Sequence, residues 1–424
     1  MEKIFLKNYK GFKHQIVNLV DMNFLVGENS TGKTSFLKVI NLLSSTEFWY
    51  SYEFNNNEVE LGYFEEIINK QTEDNFFQIG IEKNVEINDE GEQGLFRVIF
   101  EFNQINSVPT LKQIKVNILE FDVLIKFTKK QINYRFKKQT NLDFENWVID
   151  FNFQKKYKIL SLPRNMLPVS LLIHFIEREI QNNRNKLISR RSFGNDLLYS
   201  NYKWLAPIRA KAKRTYDSYK IKFSPEGDHI PSILRQILTS KSNREKNKII
   251  SALQKFGKTS NLFDEIEVKE LGKRNSSPFE IIIKYDNIEV KLPNVGYGVS
   301  QALPLIIEIL STEDTCFSIQ QPEVHLHPKA QSAFGSFLFN AIKVDKNKFI
   351  IETHSDFTIN RFRYKLHSEK KEVNFNSKVL FFERSKDGNK ITDISINKDG
   401  SYKSKVPTSY RDFFIDEELK LLEL

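Results

Sequence analysis

The segment Gly27-Glu28-Asn29-Ser30-Thr31-Gly32-Lys33-Thr34 constrains this chain more than any other. It matches G-x-x-x-x-G-K-[ST], a loop in which a glycine at each bend lets successive backbone amides turn toward one anion. Asn23-Phe24-Leu25-Val26 reads as a buried strand before it, and Phe36, Leu37, Ile40 and Leu43 recur at helical spacing after it. Strand, phosphate-sized loop and helix in that order predict a mononucleotide-binding α/β core. Gly27, Glu28, Asn29, Ser30, Thr31, Gly32, Lys33, Thr34 and Ser35 are the candidate phosphate-binding residues. Lys33 has the reach for β and γ phosphates, and the Thr34 hydroxyl suits magnesium. The helix that follows adds unsatisfied amides and its positive end.

The remaining pattern places this core at both ends of the chain. Residues 1–20 alternate as two strands around Gly11, and residues 77–160 alternate repeatedly, which predicts an antiparallel lobe. Residues 167–188 and 231–256 read as helices. Strand character returns at 279–292, then come a glycine-containing loop and an apolar helix through Leu303, Ile306, Ile307 and Leu310. Further strands are expected at 315–319, 348–352 and 378–382. The expected organisation is an N-terminal ATPase-type lobe over 1–160, a basic, mainly helical insertion over 161–278, and a C-terminal lobe over 279–424.

Charge is distributed unevenly. The chain totals +9 with neutral histidine, yet residues 151–260 alone carry 23 basic and 7 acidic side chains. Such a field attracts DNA or RNA phosphates, or an acidic partner protein; a lysine-rich solvated surface is the plain alternative. The one cysteine, Cys316, excludes an intramolecular disulfide and a multi-cysteine zinc site, so a reducing compartment is expected. No apolar run is long enough to span a bilayer, and the expected location is cytoplasmic, without membrane contact.

The C-terminal part holds a second set of candidates. In Gly296-Tyr297-Gly298-Val299-Ser300-Gln301, two glycines allow close backbone approach and Ser300 reads as a helix N-cap. This is either an ordinary capped loop or a helix start that donates amides and a hydroxyl to a γ phosphate held by another subunit. The strand ending Phe317-Ser318-Ile319 is followed by Gln320 and Gln321, where phosphate-loop sites ordinarily place acids. A neutral amide coordinates or hydrogen-bonds but does not accept a proton from water. Gln320 is the candidate magnesium contact and Glu323 the nearest candidate base, its alternative role being a cap or salt bridge. His325 and His327 suit packing and loop hydrogen bonds better than a metal. After the strand ending in Glu352, His354 is placed to sense a γ phosphate or hold the attacking water, and Asp356 either orients His354 or crosses the subunit boundary.

The ordered motifs resemble the ABC-type nucleotide-binding fold of the SMC, RecF and overcoming-lysogenization families. NFLVGENSTGKTSFLKVINLL, VGYGVSQALPLI, QQPEVHLHPKAQ and ETHSDF, with YKWLAPIRAKAKRTY at 202–216, look most like the AAA-15/AAA-21 group of bacterial ATPases. The resemblance implies ATP and magnesium at Lys33 and Thr34. It also implies a signature loop acting in trans through Gly296, Gly298, Ser300 and Gln301, and a switch histidine at His354. Gln320 and Gln321 depart from the acids of strongly hydrolytic relatives, which bears on turnover rather than on binding.

Related proteins serve anti-phage systems or DNA maintenance, some with an HNH or Toprim nuclease. No such domain is recognisable in this sequence, so a nuclease is expected on a separate polypeptide. A homodimer or higher even-numbered oligomer is expected. The candidate catalytic residues for ATP hydrolysis are Glu323, His354, Gln321 and Lys33. The expected function is an ATP-binding, slowly hydrolysing dimeric switch in anti-phage defence; the alternatives are a DNA-repair or DNA-maintenance ATPase of RecF or SMC type and a nucleotide-stabilised scaffold. Arg209 and Arg214 are candidates either for a forked phosphate contact or for interface salt bridges.

Overall fold

The computed structural model describes residues 2–55, 59–86, 93–118, 120–128, 131–153, 156–160, 168–182, 197–217, 222–239, 244–274, 276–286, 288–403 and 406–414. Strands β1 (Glu2–Tyr9) and β2 (Phe12–Leu19) form a hairpin, and β3 (Met22–Gly27) runs through the phosphate loop into helix α1 (Lys33–Ser44). Short helices α2 (Thr46–Ser51) and α3 (Phe64–Ile67) precede β4 (Phe77–Glu86), β5 (Gln93–Ile105), β6 (Val108–Ile118), β7 (Phe121–Phe127) and β8 (Ile132–Lys138). Helix α4 (Phe144–Ile149), β9 (Lys158–Leu160), α5 (Val169–Asn182), β10 (Tyr202–Leu205), α6 (Ile230–Thr239) and α7 (Arg244–Ser260) follow. The chain continues through β11 (Glu265–Glu270), β12 (Phe279–Tyr285), β13 (Ile288–Lys291), α8 (Tyr297–Leu310), β14 (Cys316–Gln320) and α9 (Pro328–Asp345). It ends in β15 (Lys348–Glu352), α10 (Asp356–Ser368), β16 (Ser377–Ser385) and β17 (Gly388–Ile396).

Two compact units emerge. The first comprises Met1–Val20, Glu28–Ser200 and Phe382–Thr392. Its sheet has the order β2-β1-β4-β5-β6-β7-β8-β9, antiparallel throughout, as the alternating pattern of 77–160 predicts. Aromatic side chains fill one region of its core: Phe54 meets Phe102 edge to face at 4.7 Å, and Phe48 meets Phe100 at 5.4 Å. Each large side chain taken out of water contributes about 1.5–3 kcal/mol. The same unit buries a charge. Lys115, 1% exposed, donates to the Trp147 and Asp150 carbonyls and lies 4.2 Å from the centre of the Trp147 ring, while Trp147 Nε1 donates to Asp122. Burial pulls the Lys115 ammonium down to about 8.

The second unit comprises Asp21–Gly27, Asn201–Phe381 and Asp393–Leu424. Its central strands run parallel in the order β10-β14-β15-β3, and the sheet continues to β16 and β17, which carry the chain into the first unit and back. All six residues of β3 are buried, as a parallel strand covered on both faces requires. Phe24, Phe317, Ile319, Phe349 and Ile351 pack in one core with Leu303 and Ile306 of α8, Leu338 of α9 and Phe362 of α10. A smaller antiparallel sheet, β11-β12-β13, belongs to the same unit.

The helical reading of 231–256 corresponds to α6 and α7, and that of 167–188 to α5, beyond which 183–188 lie outside the described residues. Several cations of the basic stretch are paired with acids elsewhere in the chain. Lys203 contacts Glu308 at 2.5 Å, Arg235 forks onto Glu270 at 2.8 and 2.6 Å, and Lys248 contacts Asp345 at 2.7 Å. Part of the regional excess is therefore structural. Lys211, Lys213 and Arg214 remain exposed.

Candidate functional site

Between β3 and α1 the backbone enters the left-handed region three times, at Gly27 (φ 144), Ser30 (φ 62) and Gly32 (φ 97). A Cβ at Gly32 would also stand 2.7 Å from the Phe12 ring, so glycine is required there twice over. Thr31 Oγ1 and Lys33 Nζ both donate to the Glu28 carbonyl, at 2.8 and 2.7 Å. Lys33 is only 3% exposed, whereas Glu28, Asn29, Ser30 and Thr34 are exposed and Ser35 is half-buried. No side chain caps α1, whose first turn follows Gly32 directly. An uncapped helix start, two left-handed glycines and a buried lysine at the loop fit a polyphosphate.

At the carboxyl edge of the second unit's sheet, Gln320 of β14 lies beside Glu352 of β15, which lies beside Leu25 of β3. The strand that feeds the phosphate loop and the strands carrying the C-terminal candidates thus end together, where parallel α/β sheets bind ligands. Gln320 Nε2 points to Glu352 Oε2 at 3.4 Å, and the Gln321 N–H donates to the Glu352 carbonyl at 2.8 Å. Gln321 turns the chain with φ 43, so that Glu323 returns toward β15. Its carboxylate accepts from Thr353 Oγ1 at 2.9 Å and from the His354 N–H at 2.6 Å. Burial holds the Glu323 carboxyl above its ordinary range, opposed by these donors and reinforced by the charge of Glu352. That is the environment of a proton acceptor.

His354 is half-buried, its ring 6.0 Å from that of Phe413. Ser355 caps α10 through Thr358 N, which places Asp356 in the first turn of that helix. His327 caps α9 through the Ala330 N–H at 3.3 Å. His325 packs edge-on against Tyr297 at 4.6 Å. Among the described residues no group of three or more His, Cys, Asp or Glu could hold a metal.

Ser300 is not the cap of α8. The helix begins earlier, at Tyr297, with an extended Gly296 (φ −55, ψ 146) at the N-cap and no capping side chain, so Ser300 falls inside it. Ser300 sits in the first turn and its hydroxyl donates to the Tyr297 carbonyl at 2.9 Å. A Cβ at Gly298 would meet the His325 carbonyl at 2.7 Å, so this turn packs directly on the 321–326 loop. Gln301, 2% exposed, accepts the Arg209 N–H at 3.1 Å.

A family model described as AAA ATPase domain (AAA-15) matches residues 1–359. The chain belongs to this AAA ATPase family. No curated protein matches the sequence. Similar solved structures include an SMC head domain from Thermotoga maritima, at 11% identity and TM-score 0.40 over 93% of this chain and 98% of that one. An Smc head bound to the C-terminal winged-helix domain of ScpA gives 12% identity and TM-score 0.46 over 93% and 97%. An Smc head with an extended coiled coil, bound to the C-terminal domain of ScpA derived from Pyrococcus furiosus, gives 11% identity and TM-score 0.45 over 100% and 99%. This AAA ATPase has the expected fold class, an α/β phosphate-loop head with an antiparallel lobe and inserted helices. Among the described residues, no helix of the AAA ATPase is long and apolar enough to cross a membrane.

Two contributors were missed in the sequence: Thr353, which holds Glu323, and Glu352, which brings a carboxylate to the end of β14 from the neighbouring strand. Thr353 sits in the same short motif as His354 and was findable. Glu352 depends on the β14–β15 register, which no sequence spacing encodes.

Proposed function

We propose that this AAA ATPase is an ATP-held, slowly hydrolysing dimeric switch that controls a separate nuclease or other effector, or DNA engagement, in defence against phage. The observation that carries the reading is the start of α8: a helix without a capping side chain, entered through an extended Gly296, with its first residue Tyr297 50% exposed. Helix amides without a side-chain acceptor suit a terminal phosphate. Among the described residues nothing lies within 4 Å of a Cβ built at Gly296, which leaves room for a phosphate presented by a second copy.

In this reading Gly27 to Ser35 of one copy grip ATP, with Lys33 on the triphosphate and Thr34 and Gln320 toward magnesium. When bound, the ion neutralises charge on the phosphates. Gly296, Gly298, Ser300 and Gln301 of the second copy meet the γ phosphate and close the dimer. For hydrolysis, Glu323 accepts a proton from water while the water oxygen bonds to the γ phosphorus and the bridging oxygen leaves with ADP. Gln321 and His354 orient that water. Neutral amides at Gln320 and Gln321 slow the step, so the closed state persists.

Exposed Lys211, Lys213 and Arg214 support DNA contact on closure. A labelled duplex titrated by anisotropy tests this: ATP should tighten binding to the wild type and not to K33A. Binding that ignores ATP in both proteins overturns the switch. The rival reading, a DNA-repair ATPase that cycles rapidly, draws support from Glu352 beside Gln320, since a carboxylate there offsets the missing acid of β14.

A further inference from the structure

Lys7, Gln78, Glu101 and Gln113 stand opposite one another in one row across β1, β4, β5 and β6, all within the first unit. At this row β6 bulges: its pairing with β5 steps from Gln113 opposite Glu101 to Leu111 opposite Phe102, which leaves Lys112 as the extra residue. A bulge re-aims side chains. Here both go to one carboxylate, Lys112 Nζ to Glu101 Oε1 at 2.8 Å and Gln113 Nε2 to Glu101 Oε2 at 2.9 Å. Gln78 Nε2 donates to the same Oε2 at 2.7 Å from β4. Gln78 and Glu101 are each 5% exposed. Replacing a buried charge pair by apolar side chains is commonly neutral or stabilising, so stability alone does not call for Glu101. Its effect is directional. With both amide nitrogens held on the carboxylate, the amide oxygens of Gln78 and Gln113 are fixed in place, and neither accepts a hydrogen bond among the described residues.

Gln78, Glu101 and Gln113 line a cavity of about 270 Å³. That is just below the roughly 300–1,000 Å³ of sites for drug-sized ligands and suits one flat ring system. Val148, Ile149 and Phe151 form an apolar wall, and Ile149 is 67% exposed. Lys7 completes the lining; it stands 5.1 Å from the centre of the Phe76 ring and forms no ion pair among the described residues. Two fixed acceptors, an apolar wall and an unpaired cation call for a ligand with neighbouring N–H donors on a planar edge and an anionic group.

We propose that this cavity binds guanine joined to a phosphate, either in a free nucleoside monophosphate or as an unpaired base of a single strand. The oxygens of Gln78 and Gln113 accept from the N1–H and N2–H donors of the base, the wall of Val148, Ile149 and Phe151 covers its ring, and Lys7 faces the phosphate. Among the common bases guanine carries two such donors side by side. Uracil and thymine set one N–H between two carbonyl oxygens, which the amide oxygens repel. None of these residues belongs to the phosphate loop or to the start of α8, and the site does not depend on the ATPase reading.

The test is isothermal titration calorimetry of the full chain with guanosine monophosphate, uridine monophosphate, guanosine and a short oligothymidylate carrying one guanine, for wild type, K33A, Q113L, K7M and I149A. Guanosine monophosphate should bind wild type and K33A alike, about tenfold or more tighter than uridine monophosphate. Q113L should weaken it by about tenfold and erase that preference. K7M should weaken guanosine monophosphate by about tenfold and leave guanosine unchanged, a split that damage to the fold does not produce. I149A should weaken both. If Q113L does not fold, K7M and I149A carry the same comparison. Tighter binding of the oligonucleotide than of the monophosphate identifies a strand as the source, and the reverse order a free nucleotide.

Failure of both the monophosphate and the oligonucleotide to bind overturns the proposal, as does equal affinity for uridine monophosphate or unchanged affinity in a folded Q113L. Binding that K33A abolishes also overturns it, because the ligand would then sit at the phosphate loop.

Discussion

Thr353 Oγ1 donates to Glu323 Oε2 at 2.9 Å, tying the candidate base on the loop after β14 to the residue that follows β15. The same Thr353 oxygen accepts from the Ser355 N–H at 3.0 Å, so one hydroxyl joins the base to the cap of α10. T353V removes that donor at nearly constant volume. It should reduce phosphate release by about tenfold or more with ATP affinity unchanged, the loss expected for one hydrogen bond to a charged group, about 1.5–3 kcal/mol. T353S, which keeps the hydroxyl, should stay close to wild type; an equal loss in both variants would point to packing.

Glu352 brings its carboxylate to 3.4 Å from the Gln320 amide. If this acid substitutes for one missing from β14, E352Q should raise the magnesium concentration for half-maximal turnover by about tenfold or more, as loss of an outer carboxylate weakens a metal site. Magnesium-free ATP binding should not change. A titration of activity against magnesium in both proteins decides it.

Lys115 offers a pH test of folding. Its ammonium is pulled from an ordinary 10.5 to about 8 by burial. Between those values the folded chain carries a neutral Lys115 and the unfolded chain a charged one, so the unfolded state binds more protons and stability rises with pH. The gain by pH 10.5 approaches roughly 3 kcal/mol. Urea unfolding of wild type and K115M from pH 7 to 10 isolates the effect: the difference should shift toward wild type as pH rises, and a flat difference would refute it.

Glu308, 1% exposed on α8, accepts from Lys203 at 2.5 Å and pairs with His229 Nε2 at 2.7 Å. Burial pushes its carboxyl up, but His229 and Lys203 outweigh that and hold it below the ordinary range. E308A strands both partners and should cost about 3–5 kcal/mol by urea unfolding. A loss under about 1 kcal/mol would show that water replaces the carboxylate.

The local patterns were legible in the sequence because they are short-range. The phosphate loop, the buried β3 and the alternation of 77–160 are each written within a few residues of themselves. Ser300 was misplaced because a serine before an apolar run is a cap signal, while the helix already begins at Tyr297, after an extended Gly296. The contacts of Glu323 with Thr353, of Gln320 with Glu352 and of Arg209 with Gln301 join residues 30 or more positions apart. Strand register and loop geometry set these, and neither has a sequence period. The neutralisation of Lys203, Arg235 and Lys248 is of the same kind, because their acids come from other segments.

The central claim is that ATP joins two copies of the chain through α8. Light scattering of the eluting protein, with magnesium and a non-hydrolysable ATP analogue, measures it most directly. The wild type should double its mass on adding nucleotide, whereas K33A, which loses the phosphate grip, and S300R, which blocks the first turn of α8, should not. A wild type of unchanged mass at saturating nucleotide, or an S300R protein that still doubles, would contradict the account.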